Sequence, residues 1–229
     1  MVNIIEEKIE VIAVPGPRNA WDIGRQYGTE EGQKCGLQHR GSDELRKVIA
    51  DIMRMYELGM RGFMLVDIGL LRLVRKMQEQ GNLPKDMTIK MSVWTGVSSA
   101  VGAKLMEDMG ASSFNPVADL TLPQLRALRS VVDTPIDFYI WTFASFGGTQ
   151  RFYDAPEVAK LYSPCYFKFE PAPSSGGFYS PWASDEQHID LIRKKVKWAE
   201  FVINHVRENE PELKVSEQGP DDLFVPKVK

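Results

Sequence analysis

The sequence predicts an α/β protein, a parallel (β/α) TIM-like barrel of about six strand–helix units. Short apolar runs alternate with segments in which apolar residues recur every three or four positions, a pattern typical of strands followed by amphipathic helices. Repeated strand–helix units form parallel sheets with right-handed crossovers. A closed barrel of this kind has eight strands. Six units are two short of that number, so both an incomplete barrel and an open doubly wound sheet are consistent with the pattern.

The first half of the chain supplies three of these units. The run "KIEVIAVPG" predicts a strand that stops at its prolines and glycine. "SDELRKVIADIMRMYELG" predicts a helix that Ser42 caps and Gly59 ends. "RGFMLVDIG" predicts the second strand, and a helix with apolar residues between 70 and 77 follows it. "TIKMSVWTG" predicts the third strand, and the helix after it ends at Gly110.

The second half of the chain continues the same alternation. "SSFNPVADL" predicts a short strand, after which Thr121 caps a helix. "TPIDFYIWT" and "CYFKFEP" predict two more strands, separated by a loop and a short helix. A long helix then runs from Ile189 to Val206. We expect residues 1–214 to form one domain and residues 215–229 to form an irregular arm.

Composition limits the classes of function. The chain has 229 residues, 43% of them hydrophobic and 26% charged, as in ordinary globular proteins. A net charge of −3 gives no electrostatic reason to expect nucleic acid or an anionic membrane as a partner. No apolar run approaches the roughly 20 residues of a membrane helix, and the acidic start "MVNIIEEKIEVIAV" is unlike a signal peptide. These features predict a cytoplasmic protein.

Cysteine usage bears on the cofactor. Cys35 and Cys165 lie far apart, and the sequence has no C-x-x-C or H-E-x-x-H motif. No iron–sulfur cluster is therefore expected, and no set of metal ligands is predicted. The cofactor stays unknown, because Asp22, Asp67 and Glu170 could still bind a divalent metal through oxygen atoms.

Charged residues inside the predicted strands are the main functional signal. Side chains alternate between the two faces of a strand, so at least three strands show one apolar face and one polar-aromatic face. An unpaired buried charge costs several kcal/mol and must be paired, hydrogen-bonded or wet. We therefore expect a polar pocket at the carboxyl ends of the strands, where parallel α/β folds bind ligands. An internal ion-pair network without chemistry is the alternative.

The candidate site residues follow from that pocket. Lys90 and Lys168 would hold or activate an anionic substrate, and Asp137 or Glu170 would exchange its proton. The predicted substrate-binding residues are Arg18, Asp67, Ser92, Trp94, Asn115, Tyr139, Trp141 and Arg151.

Three segments carry a family resemblance: "LVDIGLLRLV", "KMSVWTGVSSAVGAKLMEDMGASSFNPVADLTLPQLRALR" and "PIDFYIW". Together they resemble the peptidase U32 family, and in particular an uncharacterised bacterial branch of it. The resemblance implies a TIM-like barrel and a peptidase or collagenase label. Other members use a four-cysteine iron–sulfur cluster to hydroxylate RNA or quinone precursors, but this chain lacks those cysteines. Compared with the family pattern, the first two strand–helix units are missing.

Three functions are consistent with these observations. The first is a small-molecule enzyme of lyase, isomerase or hydrolase type that acts on a polar, anionic substrate. The second is a non-catalytic accessory subunit that completes a barrel with another chain. The third is a peptidase, which the resemblance alone implies. The expected partners are a small-molecule ligand and a second copy or another polypeptide that completes the barrel, giving a homo- or hetero-oligomer.

Overall fold

The structure is a computed structural model, and it describes residues 11–16, 38–144, 147–170, 182–215 and 225. Strands and helices alternate along this part of the chain. The strands are β1 (Ile12–Ala13), β2 (Gly62–Leu65), β3 (Thr88–Met91), β4 (Ser113–Phe114), β5 (Ile136–Trp141) and β6 (Cys165–Phe169). The helices are α1 (Gly41–Glu57), α2 (Ile68–Glu79), α3 (Ala100–Asp108), α4 (Leu122–Arg129), α5 (Ala155–Tyr162) and α6 (Asp185–Asn209), and a 3₁₀ turn covers Val93–Thr95.

The sheet confirms the predicted fold class. Its six strands are all parallel and lie in chain order, from β1 at one edge to β6 at the other. With a helix after each of the later strands, this arrangement is an incomplete TIM-like barrel. In the described part of the chain, β1 and β6 each pair with one neighbouring strand only.

The apolar face of the sheet packs against the helices. Phe63, Ile89 and Phe138 are fully buried there, together with Ile52 of α1 and Leu125 of α4. Burying each such side chain contributes roughly 1.5–3 kcal/mol, so this layer supplies much of the driving force for folding. The opposite face of each strand is left for the polar residues.

Helix starts follow the sequence at most positions. Thr121 is the N-cap of α4, as predicted. The Asp67 and Ser184 side chains, for which no cap was predicted, accept backbone N–H bonds at the starts of α2 and α6. The prediction for Ser42 is wrong, because α1 begins at Gly41 with Arg40 as its N-cap. The Arg40 N–H donates to the Glu44 carboxylate at 2.6 Å, so this acidic residue, and not the serine, satisfies it.

One prediction falls mostly on residues that the structure does not describe. Of the predicted arm 215–229, only residues 215 and 225 are described, and the rest lies outside the described residues. Of the described helices, none has the length and apolar character that crossing a membrane requires.

Candidate functional site

The polar residues predicted on the strands lie on the face opposite the helices. Strand register brings them side by side: Lys90 pairs with Ser113, Asp137 with Tyr166, and Tyr139 with Lys168. Their outward neighbours in the strands are the buried apolar residues of the core. We call this polar surface the inner face.

Lys90, Asp137 and Lys168 form a cluster on the inner face. The Oδ2 atom of Asp137 is 3.8 Å from the Lys90 amine and 3.7 Å from the Lys168 amine. Lys90 and Asp137 are almost fully buried, at 2% and 1% exposure, whereas 23% of the Lys168 side chain is exposed. Two ammonium groups thus face one carboxylate, which leaves a surplus of positive charge. We call these three residues the lysine–aspartate cluster.

Aromatic rings complete the surroundings of both amines. The Lys90 amine lies 4.3 Å from the centre of the Tyr166 ring, and the Lys168 amine lies 5.3 Å from that of Tyr139. A ring face stabilises a nearby cation, most strongly where water is excluded. The amine of Lys168 also approaches the Met64 sulfur at 3.8 Å. Lys168 therefore reaches the interior from the edge strand.

The pKa of the Lys168 amine is lowered. Burial is the main cause; Asp137 raises this pKa in opposition, and the neighbouring amines of Lys90 and Lys195 lower it further. A lysine with a lowered pKa has a larger neutral fraction and can act as a base or nucleophile.

Glu170 follows β6 and has the opposite perturbation. Burial raises the pKa of its carboxyl group, although a hydrogen bond from Tyr139 and the charges of Lys195 and Lys168 lower it in part. Its backbone N–H donates to the Trp141 carbonyl at 3.0 Å, so the residue continues the β5–β6 pairing. A carboxyl group with a raised pKa can both donate and accept a proton near neutral pH.

Lys195 belongs to this group of charges, and the sequence analysis missed it. Burial lowers the pKa of Lys195, and the Glu170 carboxylate raises it in opposition. One turn further along α6, the Trp198 ring packs on Trp141 at 5.9 Å between ring centres and stacks on Phe152 at 4.8 Å. These aromatic contacts hold this part of α6 beside the ends of β5 and β6. Lys195 lies on a helix, where the two-residue alternation of a strand does not apply, so the sequence contained no signal for it.

Two further inner-face residues, Tyr166 and Ser113, are not among the predicted site residues, although strand alternation places Tyr166 on the same face as Lys168 and Ser113 on the same face as Asn115. Tyr166 lies two residues before Lys168, and Ser113 lies two residues before Asn115. Ser113 is fully buried and pairs in register with Lys90.

Ser92 and Asn115 lie at the ends of β3 and β4. The Ser92 hydroxyl accepts a bond from the Trp94 N–H at 3.3 Å and so caps the 3₁₀ turn that carries Trp94. Asn115 is fully buried, and its Nδ2 donates to the Met91 carbonyl at 3.2 Å. Both polar side chains are therefore held by the backbone; Ser92 and Asn115 stay predicted substrate-binding residues, as does Trp94.

Asp67 is engaged in local structure. Its two carboxylate oxygens accept backbone N–H bonds from Leu70 at 2.9 Å and from His39 at 3.1 Å. These bonds begin α2 and attach the segment before α1 to the end of β2. The role that the structure shows for Asp67 is thus a helix cap, and its predicted contact with substrate stays a prediction.

A register shift between β5 and β6 changes the position of Trp141. Simple alternation predicts Trp141 beside Tyr139, but the shift pairs it with Phe169, a core residue. Its ring contacts Phe152 and Trp198 rather than the lysine–aspartate cluster.

Arg151 lies on the other side of the sheet from the cluster. It pairs with Asp154 and donates to the carbonyls of Ala118 and Leu120, and its guanidinium lies 5.3 Å from the ring of the outward-facing Phe138. It thereby ties the loop after β5 to the segment after β4. Arg18 lies outside the described residues.

The described residues also bear on metal binding. Within residues 11–16, 38–144, 147–170 and 182–215, no three His, Cys, Asp or Glu side chains are grouped so that they could hold a metal ion. Asp67 and Glu170, two of the oxygen ligands considered from the sequence, are engaged with the backbone of α2 and with Tyr139.

Comparison with known proteins supports the resemblance seen in the sequence. A family model described as peptidase family U32 matches residues 37–146. The match covers 110 of the 229 residues, and over that region the chain is similar to peptidase family U32. The U32 region covers α1 to β5 and thus includes Lys90 and Asp137, whereas Lys168, Glu170 and Lys195 lie beyond it. No curated protein matches the chain.

Solved structures with a similar shape come from several proteins. The U32 peptidase Mk0906 is 13% identical, with a TM-score of 0.39, over 77% of this chain and 62% of that one. The chain therefore spans less than two thirds of that peptidase. A thiamine phosphate pyrophosphorylase from Pyrococcus furiosus is 13% identical, with a TM-score of 0.41, over 88% and 98% of the two chains. A chain of the Amycolatopsis orientalis BexX/CysO complex is 11% identical, with a TM-score of 0.39, over 91% and 95%.

Proposed function

We propose that this protein is an enzyme that acts on a small, polar, anionic molecule by proton transfer, as a lyase, isomerase or hydrolase. The observation that carries the proposal is the buried carboxylate of Asp137 between the amines of Lys90 and Lys168, at 3.8 and 3.7 Å. A fold that needed only a neutral interior would fill this face with branched apolar side chains, as barrels normally do.

The charge balance of the cluster favours an anionic substrate. Lys90, Lys168 and Lys195 supply three amines near the carboxyl groups of Asp137 and Glu170. A negatively charged substrate group would balance the surplus of positive charge and favour the protonated form of Lys168, whose pKa is lowered in the free protein. Binding and chemistry are then linked through the same amine.

Glu170 is the residue best suited to exchange the substrate proton. Burial raises the pKa of its carboxyl group, and Tyr139 holds it by a hydrogen bond. A positioned acid–base residue typically accelerates a reaction by about 10²–10⁴-fold. Lys90 and Lys168 would hold the anionic group of the substrate in the same reaction.

The test is a comparison of metabolite turnover by the wild-type protein and the Glu170→Gln variant. Each is incubated with a small-molecule extract of cells, and the change in every anionic compound is followed by mass spectrometry. We expect one anionic compound to be consumed by the wild-type protein and spared by Glu170→Gln. Glu157→Gln, at an exposed position on α5, is the matched control and should behave as wild type. Equal consumption by all three proteins, or none by any, would contradict the proposal.

A second candidate is a peptidase, favoured by the family match over residues 37–146. Of the two cysteines that could act as its nucleophile, Cys165 is described, and burial raises the pKa of its thiol to about 12. Such a thiol is almost entirely protonated at neutral pH and therefore a poor nucleophile. Release of fluorescence from labelled casein or gelatin would revive this function, and no cleavage at high protein concentration would remove it.

A third candidate is an accessory subunit, favoured by the single pairing of β1 and β6 in the described sheet. Exposed strand edges are usually covered or paired. A second copy or another polypeptide that completes the barrel would give a discrete oligomer by native mass spectrometry. A protein that is monomeric, with intact Glu170-dependent turnover, would remove this candidate.

A further inference from the structure

Hydrogen-bond acceptors without partners lie next to the lysine–aspartate cluster. Asp137 Oδ1 and Asn115 Oδ1 are buried and have no hydrogen-bond partner among the residues that the structure describes, and the same holds for the Ser113 hydroxyl. All three side chains are at most 1% exposed. Buried polar atoms in folded proteins nearly always have a partner, either in the protein, in buried water or in a ligand.

The orientation of the Asn115 amide is fixed. Its nitrogen lies 3.2 Å from the Met91 carbonyl, which can only accept a hydrogen bond, so the amide oxygen must point the other way. A group that satisfies this oxygen must therefore be a donor. The same is true of Asp137 Oδ1 when the carboxylate is ionised.

Strand register places these acceptors beside one another. Phe114 pairs with Ile136, so the next residues along the two parallel strands, Asn115 and Asp137, are also neighbours. Neighbouring parallel strands are separated by roughly 4.8 Å. The Asp137 carboxylate connects the two parts of the site, since its Oδ2 faces the lysine amines and its Oδ1 lacks a partner.

We infer that the substrate is a hydroxylated anion, a small molecule whose negative group binds Lys90 and Lys168 and whose hydroxyl donates to Asn115 Oδ1 or to the Ser113 hydroxyl oxygen. This inference rests on the proposed function for the anionic group and adds the hydroxyl group. A site with buried acceptors discriminates against a ligand that lacks the donor, because the acceptors then stay unpaired.

The experiment uses two probes that differ by one hydroxyl group, malate and succinate, with inorganic pyrophosphate as an anion that lacks carbon. Binding to the full-length protein is measured by isothermal titration calorimetry. We expect malate to bind about tenfold or more tightly than succinate, as loss of a hydrogen bond to a buried acceptor implies.

The variant Asn115→Leu tests the acceptor directly. It removes the amide oxygen at similar volume, and the Met91 carbonyl keeps its bond from the Asn115 backbone N–H at 2.9 Å. The ratio of malate to succinate affinity should fall toward one in this variant. Asn209→Leu, the same change at an exposed position at the end of α6, should keep the wild-type ratio. Ser113→Ala removes the second acceptor, and it is measured in the same way.

Each outcome decides one of the two proposals. Equal binding of malate and succinate to the wild-type protein, or binding of pyrophosphate alone, overturns the hydroxyl inference and leaves an anion-binding enzyme. A preference for malate that persists in the folded Asn115→Leu and Ser113→Ala variants shows that these side chains do not read the hydroxyl and also overturns it. If none of the three anions binds, both proposals are overturned.

Discussion

Replacing Asp137 with asparagine tests whether its carboxylate holds the two lysine amines in the interior. The substitution keeps the shape of the side chain and removes its charge. Lys90 would then lie 2% exposed without the only carboxylate that the described salt bridges assign to it. The variant therefore leaves a buried positive charge without compensation.

The distances set the size of the effect. At about 3.7–3.8 Å and an effective dielectric constant of about 20, each lysine–carboxylate attraction is on the order of 4 kcal/mol. Breaking a buried pair costs about 3–5 kcal/mol. Lys168 is 23% exposed, so water offsets part of the loss on its side. We expect Asp137→Asn to lower the free energy of unfolding by about 3 kcal/mol at neutral pH, a large part of the 5–15 kcal/mol typical of a domain.

The loss should also depend on pH. The pKa of Lys168 is lowered in the folded protein, mainly by burial, so between that pKa and its unfolded value the unfolded chain binds more protons. Stability therefore rises with pH in this window. Removing Asp137 lowers the folded pKa further and widens the window toward lower pH. The difference in stability between the wild-type protein and Asp137→Asn should thus shrink as the pH rises toward the folded-state pKa of Lys168 in the wild-type protein.

Urea unfolding followed by circular dichroism at several pH values measures both effects. Asp190→Asn is the matched control, because it removes the same group from the exposed pair with Lys194 on α6. Exposed pairs contribute less than about 1 kcal/mol. If Asp137→Asn were no less stable than Asp190→Asn, or if its loss of stability did not change with pH, the reasoning about the cluster would be refuted.

Three other predictions concern single residues. Once a substrate is found, Glu170→Gln should lower kcat by about 10²–10⁴-fold and change the melting temperature little, as kinetics and calorimetry can show. Burial raises the pKa of Glu107, but hydrogen bonds, including those from Thr134, bring it down to about 2; its stabilisation is therefore present above its unfolded pKa and lost as the pH falls toward 2. Glu107→Gln lacks this stabilisation, so it should be less stable than the wild-type protein at neutral pH and should have a flatter stability profile between pH 4.5 and 2. Ser184→Ala should cost about 1 kcal/mol in urea unfolding, because it removes the acceptor for the Gln187 N–H at the start of α6.

Each of these predictions has its own contrary result. Retention of full activity by Glu170→Gln would assign the proton transfer to another residue. A stability profile of Glu107→Gln that parallels the wild-type profile from pH 2 to 5 would contradict the acid-stability argument. Ser184→Ala with unchanged stability would mean that α6 is held by its packing alone, through residues such as Val202 and Val206, which are buried.

Much of the fold and part of the site could be predicted from local sequence. The two-residue alternation within "IDFYIW" and "CYFKFE" assigns Asp137 and Lys168 to one face, and the parallel order of successive units places their strands side by side. Lys90 follows by the same rule. These predictions need only the period of a strand and the chain order, both of which are local properties of the sequence.

Other features depend on contacts between distant segments, and only the tertiary structure decided them. The register shift between β5 and β6 moves Trp141 to Phe152 and Trp198, because pairing with another strand, and not the strand's own period, sets this position. Lys195 lies close enough to Glu170 to interact with its charge because α6 packs on Trp141 and Phe152 through Trp198. Tertiary contacts also decide whether a polar residue at a strand end is available to a ligand or is bound to the backbone. The Asp67 carboxylate, for example, accepts hydrogen bonds from the backbone N–H groups of His39 and Leu70. The sequence by itself determined which charges enter the interior, because alternation is local, and the packing of the chain determined what each charge meets there.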